Sequence, residues 1–423
     1  MYRGTFAIVD TSAIRENIRG IKSRLAQSTR VLQAVKANGY GHGAVQVARA
    51  AVAGGATELG VATVEEALAL REAGIDTPIL VLGVTTSEGA EAARRAKVAI
   101  TIGNPDLDGI AAQLPVRRGN EPQGDAPRLS VHLKVDTGMS RLGARGAEEA
   151  VQLALALQAR PDVSLDGVFT HLACADSADL AHAEAQIDQF RSVLRALAEV
   201  GIRPPVIHAA NSAAALRRTD WQFDTVRVGI AAYGYGPAGV YDSPVPLRPA
   251  LHLYSPIVRI ATLQPGDTVG YGATYTAERP VRIATVPVGY GDGYFRTLSN
   301  RASVVVRGHR APVVGNVCMD QLMIDVTEVP DTAVGDCVTL YGRYAPDAWN
   351  RRFGSVDAGV AEDASAGNSA MVDRMADPSW LAATFAAAAD APVLSLDELA
   401  DLAGTISYEL MCALSNRVPR IYV

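Results

Sequence analysis

The sequence predicts an α/β protein: an N-terminal (β/α)8 barrel over residues 1–240, then a mainly antiparallel β domain over 241–423. Three observations carry this. Between residues 30 and 230, short apolar, β-rich runs alternate with longer helical ones; there are eight such runs; and after about residue 240 the long helical stretches give way to closely spaced strand-like runs. The strand candidates are RVLQAV (30–35), ELGVA (58–62), PILVL (78–82), VAITI (98–102), LSVHLKV (129–135), SLDGVFT (164–170), PVIH (205–208) and TVRVG (225–229). Helix-like stretches such as VEEALALREAG and SADLAHAEAQIDQFRSVLRALAEVG follow them, with Gly or Pro marking the return. Eight βα units in one domain-sized span favour a closed barrel over an open doubly wound sheet. RRGNEPQGDAP (117–127) reads as a surface loop within the barrel.

Further along, YSPIVRIATL, GDTVGY, VRIATVPVGY, ASVVVRG, APVVGNV, LMIDVTEV and DCVTLYG have the spacing of an antiparallel domain. Residues 343–393 have weak periodicity and read as an insertion. SLDE (395–398) then opens a helix that stops near Gly404.

Composition excludes several functions. The chain of 423 residues is 48% hydrophobic and 20% charged, which suits a folded globular protein. Its 39 basic and 45 acidic residues leave a net charge of −6, which repels a phosphate backbone and argues against nucleic acid. No apolar run approaches the ~18–20 residues of a membrane span, and no signal-peptide pattern precedes FAIVD, so a cytoplasmic location is expected. The cysteines, Cys174, Cys318, Cys337 and Cys412, form no C-x-x-C pair, so neither a disulfide framework nor a metal site is expected.

Lysine usage is more telling. Only Lys22, Lys36, Lys97 and Lys134 are lysines; arginine supplies the other positive charges. An arginine cannot act as a nucleophile near neutral pH, whereas a lysine amine can form a Schiff base or a carbamate. Lys22 and Lys97 sit in ordinary solvated patterns. Lys36 and Lys134 lie at the carboxyl ends of candidate strands, where barrel active sites are built. His171 follows strand six, Asn211 and Ser212 follow strand seven, and Arg227, Gly229 and Ile230 end strand eight. Asn211 and Ser212 open the helix-like SAAAL, whose free N–H groups suit a phosphate, although an ordinary helix cap has the same pattern.

These residues fall within longer blocks: VKANGYGHG (35–43), HLKVDTGMSRLG (132–143), FTHLACAD (169–176), HAANSAA (208–214), RVGIAAYG (227–234), VGYGATYTA (269–277), VPVGYGDGY (286–294), VGNVCMDQ (314–321) and GTISYELMCALSNRVPRIY (404–422). Together, and in order, they closely resemble alanine racemase. The resemblance implies a pyridoxal 5'-phosphate enzyme interconverting L-alanine and D-alanine for peptidoglycan, as a homodimer with shared active sites. It implies a Schiff base on Lys36, a phosphate held by Tyr40, Ser212, the backbone at Gly229 and Ile230, and Tyr408, and Arg227 facing the pyridine nitrogen. Racemisation needs a proton-transfer group on each face of a planar carbanion. Lys36 would serve one face, and Tyr271 of the partner subunit the other, supported by His171 with Arg227 behind it. Lys134 is often carbamylated in the family, holding the arginine that corresponds to Arg141 near the substrate. Met319 and Tyr290 would line the pocket from the partner, with Cys318 and Asp320 shaping their loop. Two departures stand beside the bases: Gly39 where alanine is usual and Gly270 where serine is usual.

GYGPAG (234–239) matches a dinucleotide pattern literally, but Pro237 and the lack of a following helix argue against that use. HLAC (171–174) lacks a second ligand pair at zinc spacing, so no metal is expected. For His42 a structural hydrogen bond is the expected role. Other readings remain open at this point: a broad-specificity or serine racemase, a barrel-type decarboxylase, and a non-catalytic pyridoxal-phosphate carrier.

Overall fold

The computed structural model describes residues 3–103, 128–236, 244–345, 349 and 378–423. The loop expected at 117–127, the interior of the insertion and the end of GYGPAG lie outside them. The chain groups into two units, Ala13–Arg248 and Met1–Ser12 with Pro249–Val423.

The first unit is a parallel barrel. Its eight strands are Arg30–Ala34, Glu58–Val61, Ile79–Val81, Ala99–Ile102, Leu129–Asp136, Val163–Phe169, Val206–His208 and Thr225–Val228, each beside its neighbour in chain order. Strand eight pairs with strand one, Thr225 opposite Arg30. Strands seven and eight are joined by Asp224 N–H to the Ile207 carbonyl (3.0 Å) and Arg227 N–H to the Ala210 carbonyl (2.9 Å). Buried on both faces, these strands read as near-continuous apolar runs, which is why they are legible. Two of the helices between them start on side-chain caps, Thr63 accepting from Glu66 N–H and Thr86 from Gly89 N–H. In the long helix Ala181–Glu199 the buried residues Ala183, Gln186, Ile187, Phe190, Val193 and Leu197 recur every three or four positions, so one stripe faces the core. Gln186 is the polar member of that stripe.

The second unit contains a sheet in the order His309–Pro312, Ser303–Val306, Cys337–Arg343, Leu251–Pro256, Phe6–Val9, Arg420–Tyr422. A three-stranded sheet of Arg259–Leu263, Val281–Val286 and Leu322–Asp325 and a ribbon of Thr268–Val269 with Tyr275–Thr276 complete it. The sequence reading put residues 1–240 in the barrel. Phe6–Val9 instead runs antiparallel to Leu251–Pro256 and parallel to Arg420–Tyr422. Four consecutive buried residues suit a barrel strand and a sheet centre equally, so local pattern does not separate the two.

The segment between Arg343 and Val393 leaves and rejoins this unit at one place, because Gly342 and Arg343 pair with Leu394 and Val393. Two of its aromatics, Trp349 and Phe385, are buried in a cluster with Phe6, Ile8, Tyr254 and Cys337. The helix Leu396–Ala403 starts on the Ser395 hydroxyl and ends on Gly404 at φ +73°. Among the described residues no helix is long and apolar enough to cross a membrane.

Candidate active site

The chain after strand one makes an unusual turn. Ala37, Asn38, Gly39 and Tyr40 are all left-handed, with φ of +51°, +53°, +62° and +52°. For residues with a Cβ this conformation costs roughly 1–2 kcal/mol each, and such strain persists only where surrounding contacts enforce it. Here Glu66 accepts from Ala37 N–H and Ala62 N–H, both at 2.7 Å, and Asn38 Oδ1 accepts from Ala44 N–H at 3.0 Å. Gly39 removes one share of the strain, which gives a physical reason for a glycine at that position. The turn sets half-buried Lys36 and buried Tyr40 at the carboxyl end of the strand. Tyr40 stacks on Tyr233 at 4.7 Å, and Tyr233 donates its hydroxyl to the Ala34 carbonyl at 2.8 Å. His42 has the structural role expected, with its Nδ1 2.8 Å from the Tyr40 carbonyl.

Across the barrel mouth, the Ser212 hydroxyl accepts from Gly229 N–H at 2.8 Å, while Asn211 caps the short helix Ser212–Arg217. A Cβ at Gly229 would stand 3.0 Å from the Tyr40 hydroxyl oxygen and 3.9 Å from Ser212 Oγ. A missing side chain thus lets two hydroxyls converge on a bare stretch of backbone, with Ile230 next in the chain. That cradle suits a phosphate.

Arg227, at the end of strand eight, is buried. Its guanidinium donates to the Thr170 carbonyl (2.8 Å), the Ala209 carbonyl (2.8 Å), His171 Nδ1 (3.1 Å) and His208 Nδ1 (3.1 Å). Burial, with Arg141 adding repulsion, pulls its pKa down to about 9, still high enough to keep it charged at neutral pH. Because arginine only donates, both histidines must accept at Nδ1 and carry their proton on Nε2. His208 Nε2 then donates to His132 Nδ1 at 2.9 Å, extending the fixed tautomers one residue further. Burial first, then the positive charge of Arg227, pushes His171 and His208 well below the usual histidine range, so both rings are neutral. Gly167 makes room for the third ring: a Cβ there would come within 2.4 Å of His132.

Lys134 is no surface partner of Asp136. It is buried, its amine donates to the Val135 carbonyl at 2.7 Å, and it lies 5.4 Å from the Phe169 ring centre, with the Arg227 guanidinium 5.3 Å from the same ring. Burial, then Arg227 and Arg141, lower its pKa to about 7 against the opposing pull of Asp136. Asp136 Oδ1 accepts from Gly138, Met139 and Ser140 N–H at 3.0, 3.0 and 2.9 Å, shaping the loop that carries exposed Arg141.

In the other unit, Tyr271 begins a 3-10 turn and is 75% exposed. Gly270 before it has φ +72° and ψ −174°, a region essentially reserved for glycine, so a serine there would be strained. Asn316 Nδ2 donates to the Tyr271 carbonyl at 2.7 Å. Tyr290 and Met319 are also exposed, on loops joined by Tyr290 N–H to the Cys318 carbonyl (3.0 Å) and Gly291 N–H to the Met319 carbonyl (2.9 Å). Asp320 accepts from Arg417 at 2.6 Å, and Cys318 Sγ lies 3.5 Å from the Asn316 carbonyl, so both shape this loop. Tyr408 lies in the first turn of the helix Ser407–Ala413.

The structure therefore gathers Lys36, Tyr40, Lys134, His171, Ser212, Arg227, Gly229 and Ile230 at one end of the barrel, and puts Tyr271, Tyr290, Met319 and Tyr408 in the β unit. Sequence reasoning missed His132, His208, Glu66 and Gln186. The first two were readable as histidines inside otherwise apolar strands; the others left no local signal. Among the described residues no group of three or more His, Cys, Asp or Glu is placed to hold a metal ion.

Comparison with known proteins identifies the family. The alanine racemase N-terminal domain family matches residues 9–237 and the C-terminal domain family matches residues 250–365. An alanine racemase of Symbiobacterium thermophilum is 41% identical over 420 residues, covering 99% of this chain and 97% of the relative. The crystal structure of the Bacillus anthracis alanine racemase with bound L-Ala-P has a TM-score of 0.83 and 34% identity, covering 100% of this chain and 96% of that one. That of alanine racemase from E. faecalis gives 0.82 and 34%, covering 100% and 98%. With both domain families matched in order and full-length relatives near 40% identity, the chain belongs to the alanine racemase family, isomerases that racemise alanine.

Proposed function

We propose that this racemase works with pyridoxal 5'-phosphate, as a dimer, by a two-base mechanism, and that it supplies D-alanine for peptidoglycan in the cytoplasm. The cradle at Gly229 fits the group: Tyr40, Ser212 and the backbone at Gly229 and Ile230 would hold its phosphate, Lys36 its aldehyde carbon and Arg227 its ring nitrogen. When bound, the cofactor supplies an electron sink that makes an α-hydrogen removable.

The remaining chemistry belongs to the chain. A charged arginine holds its proton near neutral pH, so Arg227 would leave the ring nitrogen of a bound cofactor unprotonated, which would mute electron withdrawal and favour return of the proton to the α-carbon over transamination. Lys36 moves a proton on one face. Tyr271 of the partner subunit moves one on the other, and a phenol with an ordinary pKa of about 10 needs help to act as a base. Neutral His171 gives that help, since its Nε2–H is a donor suited to a phenolate. The observation that carries the reading is the hydrogen bond from Arg227 to His171 Nδ1, which fixes that tautomer. Arg141 would take the substrate carboxylate, with Tyr290 and Met319 of the partner subunit keeping the pocket small.

The deciding assay incubates the reconstituted protein with L-alanine. D-alanine is the expected product; released carbon dioxide would indicate a decarboxylase, and neither product a carrier. L-serine in parallel measures how strictly the pocket selects a methyl group.

Lys134 adds a pH dependence. As an ammonium it repels Arg141; as a carbamate it would attract and hold it. Only the neutral amine, through its nitrogen lone pair, attacks carbon dioxide, releasing a proton as the carbamate forms. With a pKa of about 7, much of Lys134 is neutral at pH 7.5, whereas an ordinary lysine is almost wholly charged there. The carbamate signal after 13C-bicarbonate exchange should therefore rise through pH 7 and level off by pH 8 in the native protein, and be absent in Lys134→Gln. A signal that keeps rising towards pH 10 would contradict it.

A further inference from the structure

Gln186 lies on the long helix Ala181–Glu199, 1% exposed, and none of the roles assigned so far involves it. Its amide touches both catalytic loops. Oε1 accepts from Ala173 N–H at 2.9 Å, and Nε2 donates to the His171 carbonyl at 3.1 Å and to Thr137 Oγ1 at 3.3 Å. Thr137 and Thr170 hydroxyls share a hydrogen bond of 2.7 Å, and Gly138 sits so close that a Cβ there would come within 3.4 Å of Gln186 Cγ. One amide thus ties the loop after strand six, which carries His171, to the loop after strand five, which leads to Arg141.

A side chain elsewhere in the apolar stripe of that helix would do for packing. A buried amide is costly unless fully bonded, and this one uses both of its hydrogen-bonding ends. We propose that Gln186 is a positioning residue: it clamps the backbone on both sides of Leu172 and so aims the His171 ring, which the bond from Arg227 to Nδ1 also holds. The inference rests on the assignment of His171 to Tyr271 given above. The chemistry requires an amide because a carboxylate keeps the acceptor for Ala173 but loses the donor for His171, and an alkyl chain loses both.

The test is enantiomer-selective hydrogen exchange. Wash-in of deuterium at the α-carbon is measured separately from L-alanine, the tyrosine face, and from D-alanine, the lysine face, in early time before the product builds up. In Gln186→Leu, exchange from L-alanine should fall at least tenfold while exchange from D-alanine stays within about threefold. Gln186→Glu, which preserves shape and one bond, should lose L-alanine exchange to an intermediate degree and retain the native thermal unfolding profile. Equal losses for the two enantiomers in Gln186→Glu, with folding intact, would overturn the proposal, because a generally loosened site does not choose a face. Tyr271→Phe is run beside them. If that variant also shows no preference for one enantiomer, the two-base assignment itself has failed; if it shows the preference and the Gln186 variants do not, only the role of Gln186 has.

Discussion

Replacing Lys36 with alanine should lower racemase activity by at least about 10⁴-fold and leave no pyridoxyl adduct after borohydride treatment. Two losses combine. On the proposed mechanism the amine is both the covalent tether for the cofactor aldehyde and the proton-transfer group on one face, a role that by itself is worth about 10²–10⁴-fold. The composition makes the result easy to interpret, because only Lys22, Lys97 and Lys134 remain as amine side chains. Lys22 donates to the Gly55 carbonyl on the barrel exterior, and Lys97 follows a helix end in a left-handed conformation. Lys134 alone shares the pocket, yet it is buried and bonded to the Val135 carbonyl. Peptide mapping of reduced native protein should therefore find the label on Lys36. A label on Lys134 instead would exchange the two lysines' roles. Added methylamine should restore part of the activity of Lys36→Ala, since a free amine can replace the missing one for proton transfer.

How much of this was legible depended on whether the physics was local. The eight barrel strands were, because each is a short buried apolar run set between turn formers, and the packing that hides both faces writes the same signal each time. Phe6–Val9 was not, since its partners lie at 251–256 and 420–422 and nothing in four apolar residues names a partner. The two lysines stood out through the scarcity of lysine, which local chemistry explains. His132 and His208 did not, because their meaning is relational: each is a neutral ring whose proton is placed by the next donor along a chain that begins at Arg227. The glycines beside the bases make the same point in reverse. As sequence differences Gly39 and Gly270 look like losses, but at φ +62° and +72° they relieve backbone strain in the turns that carry Lys36 and Tyr271.

Replacing Tyr271 with phenylalanine should leave hydrogen exchange from D-alanine near its native rate and depress exchange from L-alanine by about 10²–10⁴-fold. Turnover cannot reveal this. Enantiomers have equal free energy, so their equilibrium constant is one, and kcat/KM must fall by the same factor in both directions whichever base is removed. Exchange escapes the constraint because it needs only one face: the remaining base can remove a proton and return a solvent deuteron without crossing the plane. In Tyr271→Phe the lysine face survives, so D-alanine should gain deuterium with its configuration retained while almost no L-alanine forms. The residue's 75% exposure makes the variant a clean one, since removing its hydroxyl disturbs no buried contact within the unit that carries it. Mixing this variant with Lys36→Ala adds a second reading. If the tyrosine of one subunit serves the lysine of the other, a heterodimer of the two variants assembles one site with both bases intact and one with neither, and the inactive parents should regain up to about half of the native activity per heterodimer. A mixture that stays inactive, although subunits exchange, would place both bases on the same chain.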